Sequence, residues 1–215
     1  MRTPSPHPLV AKTGPWAGAT LLVLLAVVAL YFFTGAAASD PSRAPGAGAG
    51  DIASGPADAP LTVIVYSDFQ CPFCAQYAPI IEKLREKYGD EVRFVYRFYP
   101  LSTHEYATIS AKVAYAAHLQ GKFWEMHDLL FEHQEEWAES EDPRPYFDSY
   151  AESLGLDLDQ FHADADAQST TDVIERQAAE GTAAGVTHTP WVVIGDTAVL
   201  PRSFDEFDKL IQEAL

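Results

Sequence analysis

The sequence predicts an α/β domain over residues 60–215, reached through a flexible linker from an apolar N-terminal segment. Three observations predict it. A β-branched run, Leu61-Thr62-Val63-Ile64-Val65-Tyr66, leads through a stretch of helical spacing into an alternating segment that ends at Phe98, giving a strand, a helix and a strand. About seventy residues of helical pattern follow. The chain then closes with a turn, a hairpin and a last helix.

The N-terminal part is justified by charge and length. Residues 16–33 hold no charged side chain, and their 18 residues make about 27 Å of helix, close to the thickness of a bilayer core. Arg2 and Lys12 precede this run and no acidic residue does, so the positive-inside rule places residues 1–15 in the cytoplasm and the rest of the chain outside. Trp16 and Tyr31 suit the two interfaces. A cleaved signal peptide is the alternative, because Ala36-Ala37-Ala38 resembles a small-residue cleavage site. Both readings export the domain to a compartment where disulfides persist, with the catalytic part tethered to the membrane or released. Residues 34–59 are rich in Ala, Gly, Pro, Ser and Asp and read as a flexible linker, whose ~20 residues would reach about 25 Å.

Within the domain, Leu61–Tyr66 is a buried strand and Ala75–Lys87 a helix, with Tyr77, Ile80, Ile81, Leu84 and Tyr88 on one stripe. Glu91–Phe98 is a second strand, joined as a parallel βαβ unit. Helices are expected over Glu105–Leu119, Phe123–His133, Tyr146–Leu154 and Leu158–Ala165, separated by Gly121, Pro143, Pro145 and Gly155. Ser169-Thr170-Thr171-Asp172 reads as a cap for a helix through Ala184. A strand after Pro190 pairs with Thr197–Leu200 across Gly195-Asp196, and Phe204–Leu215 closes as an amphipathic helix. Trp124, Trp137, His104, His118, His127, His133 and His162 are expected on the surface or in packing.

All 31 acidic residues lie at or beyond Asp40, with 12 of the 14 basic ones, leaving that portion at −19. Such a charge excludes nucleic acid as a partner and favours solubility.

The chemistry sits where the first strand hands over to the first helix, at Asp68-Phe69-Gln70-Cys71-Pro72-Phe73-Cys74. Backbone N–H groups left unpaired in the first helical turn favour an anion, so Cys71 is expected as a thiolate nucleophile. Cys74, about one turn along, can close a ring with it, and Pro72 suits an early helical position. The same spacing also serves as half of a zinc site or as a structural bridge. Against zinc stand the two cysteines alone and seven histidines without paired spacing, so no metal is expected and the redox-active Cys71–Cys74 disulfide is the only cofactor.

These residues, together with Phe98-Tyr99-Pro100-Leu101, Gln120-Gly121-Lys122-Phe123-Trp124-Glu125-Met126-His127 and Gly185-Val186-Thr187-His188-Thr189-Pro190, resemble the DsbA-like branch of the thioredoxin superfamily in its membrane-tethered form. The resemblance covers residues 55–215. It implies a thioredoxin fold with a helical domain inserted at about 103–168, and a cis Thr189-Pro190 bond facing the dithiol with backbone free to pair with an extended substrate. Phe69, Phe73 and Trp191 would then form an apolar lip, with ordinary packing as the alternative for each. Two positions depart from the pattern. Val65 stands where many thioredoxin-like proteins carry a buried carboxylate, leaving Asp68 as the nearest acid, either a proton carrier or a turn cap. His188 replaces a small residue and either favours the Cys71 thiolate as a charged neighbour or faces solvent.

The function expected is an exported thiol:disulfide oxidoreductase, of moderate to strong oxidising power, that introduces disulfides into reduced or unfolded proteins and is recycled by a quinone-linked membrane oxidase. The alternatives are a reductase or isomerase, or a non-catalytic chaperone module using the apolar lip.

Overall fold

A computed structural model describes residues 51–215. The cytoplasmic N-terminus, the apolar segment 16–33 and the linker as far as residue 50 lie outside the described residues. Among the described residues, no helix is long and apolar enough to cross a membrane.

Five strands form one sheet in the order β1-β3-β2-β4-β5. They are β1 (Ile52–Ser54), β2 (Leu61–Ser67), β3 (Val92–Phe98), β4 (Trp191–Ile194) and β5 (Thr197–Val199). Strands β2 and β3 are parallel, with Val63 beside Phe94 and Val65 beside Tyr96, and helix α1 (Pro72–Tyr88) crosses between them. Strand β4 runs antiparallel to β2 and turns into β5 at Gly195, whose φ of 59° is a left-handed value that glycine adopts without strain. The linker expected to run to residue 59 ends earlier. Ile52–Ser54 pair antiparallel with Phe94–Tyr96, and Ile52 is buried, so a three-residue edge strand hides in an Ala/Gly/Pro-rich stretch.

Alternation sorts the two central strands. Leu61, Val63, Val65, Val92 and Phe94 pack with Leu84 and Tyr88 of α1 and with Phe207 and Ile211 of α8 (Phe204–Ala214). Ile64, Tyr66 and Val95 point the other way. Helix α7 (Gln168–Ala183) covers Tyr66 closely, since a Cβ on its Gly181 would stand 2.9 Å from the Tyr66 ring. On this face Arg97 is 2% exposed and held by Asp51 Oδ2 at 2.8 Å and Glu180 Oε2 at 2.7 Å.

Between β3 and α7 lie α2 (Ala107–Leu119), α3 (Phe123–Glu132), α4 (Gln134–Ala138), α5 (Arg144–Ser153) and α6 (Leu158–Asp166), the expected helical insertion. Their core includes Ala114, Met126, Leu130, Trp137, Phe147 and Phe161, and it runs on into Phe69, Cys74, Tyr96 and Phe98 at the end of the sheet. The dithiol therefore stands where the inserted helices meet the strands. Two details differ from expectation. The short α4 follows α3 almost directly, and α7 begins at Gln168 with Ala167 as its cap, so Ser169–Asp172 lie inside the helix.

Candidate active site

The turn that carries the dithiol is tied from beneath. Asp68 is buried; its Oδ1 accepts from the Gln70 N–H at 2.8 Å, and its Oδ2 accepts from the Leu101 N–H at 2.9 Å and pairs with His104 Nδ1 at 2.7 Å. Asp68 is thus a turn cap that also fastens the loop after β3. Gln134, which the sequence did not single out, donates through Nε2 to the carbonyls of Phe69 at 2.6 Å and Cys71 at 3.0 Å. The first bond pairs a buried carbonyl of the turn, and the second adds to the N–H groups of Cys74 and Ala75 that the Cys71 carbonyl already accepts.

Cys71 is the N-cap of α1, with extended backbone (φ −76°, ψ 119°), and Pro72 follows in the first turn, which holds no acidic residue. Cys71 is only 3% exposed and Cys74 1%. The two sulfurs are driven apart. The Cys71 thiol is lowered to about 5, first by the hydrogen bond from Cys74, against the opposing effect of burial, and then by the Thr189 hydroxyl and the backbone N–H groups of Cys74 and Phe73. Cys74 is raised well above an ordinary thiol, chiefly by burial and then by its neighbour Cys71. Cys71 is accordingly a thiolate at neutral pH while Cys74 keeps its proton.

The loop before β4 closes the site. The Thr189-Pro190 bond is cis, both residues are buried, and Cys71 Sγ lies 3.5 Å from the Thr189 carbonyl, to which it donates only while it holds its proton. Thr189 Oγ1 is buried without a geometrically formed hydrogen bond, placed to serve the Cys71 sulfur. For two residues the structure selects between the alternatives that the sequence left open. Phe69 is 1% exposed and stacks on Tyr96 with ring centroids 5.4 Å apart, so it is core and not lip. A residue two places before a helix cap turns inward here because the inserted helices lie over it. His188 is exposed and lies edge-on to Trp191 at 5.0 Å, and it is not among the groups that lower Cys71. The lip reduces to Phe73, 64% exposed, with the half-buried Trp191.

Behind the dithiol, Ser67, Tyr96 and His127 were also missed as site residues. Their signal was present: Ser67 continues the inward series of 61, 63 and 65, Tyr96 that of 92 and 94, and His127 lies on the stripe of Phe123 and Phe131. Among the described residues, no group of three His, Cys, Asp or Glu side chains could hold a metal ion.

Comparison with known proteins bears on the family and the fold. A family model described as Thioredoxin matches residues 48–213. A Na(+)/H(+) antiporter NhaA 3 of Salinispora tropica is 46% identical over 123 residues, 57% of this chain and 17% of that protein. The chain spans about a fifth of the length of the curated relatives it matches. Among solved structures, a thioredoxin-like oxidoreductase from Silicibacter pomeroyi DSS-3 is 28% identical with a TM-score of 0.63, covering 76% of this chain and 89% of that one. The thiol-disulfide exchange protein alpha-DsbA2 from Wolbachia pipientis superimposes with a TM-score of 0.68 at 19% identity, covering 77% of this chain and 87% of that one.

Proposed function

The chain belongs to the thioredoxin family, with the DsbA type of helical insertion in its fold, and from that premise we propose that it is an exported protein thiol:disulfide oxidoreductase acting as an oxidant. The observation that carries this reading is the separation of the two sulfurs, a thiolate at Cys71 with its pKa near 5 and a buried, protonated Cys74. A substrate thiolate attacks the Cys71 sulfur of the disulfide, Cys74 leaves and takes up a proton, and a second substrate thiolate then resolves the mixed disulfide. Two electrons have moved to the protein, and a membrane oxidase, quinone-linked, removes them.

The size of the effect supports an oxidant of middling strength. A thiol lowered to about 5 stabilises the reduced form by about 3 kcal/mol at pH 7, on the order of 60 mV for two electrons. The clients are reduced or unfolded exported proteins, which the exposed Phe73 would contact through apolar surface while the backbone at Thr189 pairs with an extended segment. The apolar run at residues 16–33 and the antiporter names of the curated relatives both support work beside a membrane. The Cys71–Cys74 disulfide is the only redox group this chemistry requires.

Equilibration with glutathione tests the direction. The expected potential lies well above about −270 mV, the value for thioredoxin, and a potential at that level would assign the domain to reduction instead. Cys74→Ala should accumulate mixed disulfides on Cys71 with client proteins. Recovery of none would contradict the proposed chemistry.

A further inference from the structure

Cys74 must lose a proton whenever it attacks and regain one whenever it leaves, and Val65, at the foot of the site, offers no acceptor. Val65, Ser67, Cys74, Tyr96 and His127 instead share a cavity of about 10 Å³, room for about one water. The Tyr96 hydroxyl is buried there without a geometrically formed hydrogen bond. Such a hydroxyl costs stability that a Phe of the same shape would not, so its presence calls for a role within the cavity. The Ser67 hydroxyl interacts with both Cys74 and Tyr96. His127 meets Tyr96 edge-on with centroids 5.5 Å apart, and its Nδ1 pairs with Asp128 Oδ1 at 2.8 Å, where the Asp128 side chain is 41% exposed.

Resting on the oxidoreductase reading, we propose that this cavity is the proton route of Cys74: a water seated in it, with the hydroxyls of Ser67 and Tyr96, connects the Cys74 thiol to His127 Nε2, and Asp128 opens the route to solvent. In resolution the Cys74 sulfur gives its proton to the water and attacks Cys71 Sγ. The Cys71–Cys74 bond forms, the bond from Cys71 to the partner sulfur breaks, and the partner leaves as a thiolate with the electron pair. Cys74 is oxidised and the partner sulfur reduced, while the water passes a proton to His127. When Cys74 is the leaving group the proton travels back.

Burial lowers His127, so the ring is neutral and able to accept at pH 7. The titratable groups facing it are Glu82 and Arg85 from α1, Tyr96 from β3 and Asp128 from its own helix, while Cys74 and Tyr77 also line the cavity.

The test is single-turnover resolution of a mixed disulfide between Cys71 and glutathione in the full chain, followed from acid to alkaline pH. Tyr96→Phe should slow release of glutathione by about ten-fold or more, within the range of general acid–base effects, and His127→Gln should remove one inflection from the pH profile. Alkylation of Cys71 by iodoacetamide reports the other sulfur and separates a general distortion from a lost proton route. A folded Tyr96→Phe protein that resolves as fast as the wild type overturns the route. Should that variant not fold, Ser67→Ala and the solvent deuterium effect on wild-type resolution decide, an effect of unity overturning it. Failure of any mixed disulfide to form at Cys71 would instead sink the oxidoreductase reading, and the route with it.

Discussion

Cys71 and Cys74 stand one helical turn apart, yet the first is faced mainly by donors and the second lies in a largely aromatic and aliphatic floor in which the Ser67 hydroxyl is outweighed by burial. The N–H groups of the helix start, the Thr189 hydroxyl and Cys74 itself all face Cys71 as donors, so its anion is favoured although the residue is buried. One turn deeper, burial dominates and the proton stays on Cys74. The difference teaches that burial alone does not fix a thiol's charge. What decides is whether the groups that replace water can donate.

The far face of the sheet offers a third environment, and the largest expected effect comes from breaking it. Arg97 is held between Asp51 and Glu180, the latter 34% exposed and paired also with Arg176. Arg97→Ala would remove the buried cation that both carboxylates bind and lower stability by about 3 kcal/mol or more in urea unfolding. The Cys71 titration of that variant should stay where it is, because Arg97 is not among its determinants. A shift would mean that the two faces are coupled.

The next effect sharpens the contrast between the two sulfurs by pH. The folded pKa of Cys71 lies below its unfolded value, so the reduced protein gains stability that is fully present above about pH 9 and is lost as pH falls through about 5. Between pH 7 and pH 4 reduced protein should therefore lose about 3 kcal/mol relative to oxidised protein, read from paired denaturation curves. Equal slopes for the two redox forms would remove the distinction.

The smallest effect falls at the rim. Phe73→Ser should change stability by less than about 0.5 kcal/mol, as exposed substitutions do. It should raise KM for an unfolded protein substrate by about ten-fold, the worth of roughly 1.5 kcal/mol of apolar contact, and leave reaction with glutathione alone.

Much of this was legible in the chain. The βαβ unit, the hairpin and the last helix follow from alternation and helical spacing, and the dithiol announced itself because Cys71 and Cys74 straddle a strand–helix junction. What stayed hidden was set by partners distant in sequence. Ile52–Ser54 is a strand only because β3 offers it an edge, and Gly55 next to it takes a positive φ to let the chain turn over Val92. Phe69 reads equally as lip or as packing until the inserted helices are laid over it, and Gln134 gains its role from two carbonyls more than sixty residues earlier. Local pattern tells a side chain which face it takes, and the insertion decides what waits on that face.

The central claim is that Cys71 is an anion at neutral pH, and the thiolate absorbance of the reduced protein titrated against pH, with Cys71→Ser as the blank, measures it directly. An inflection near pH 5 is the expected result. An inflection at about 8.5, the value of a free cysteine, would contradict the account.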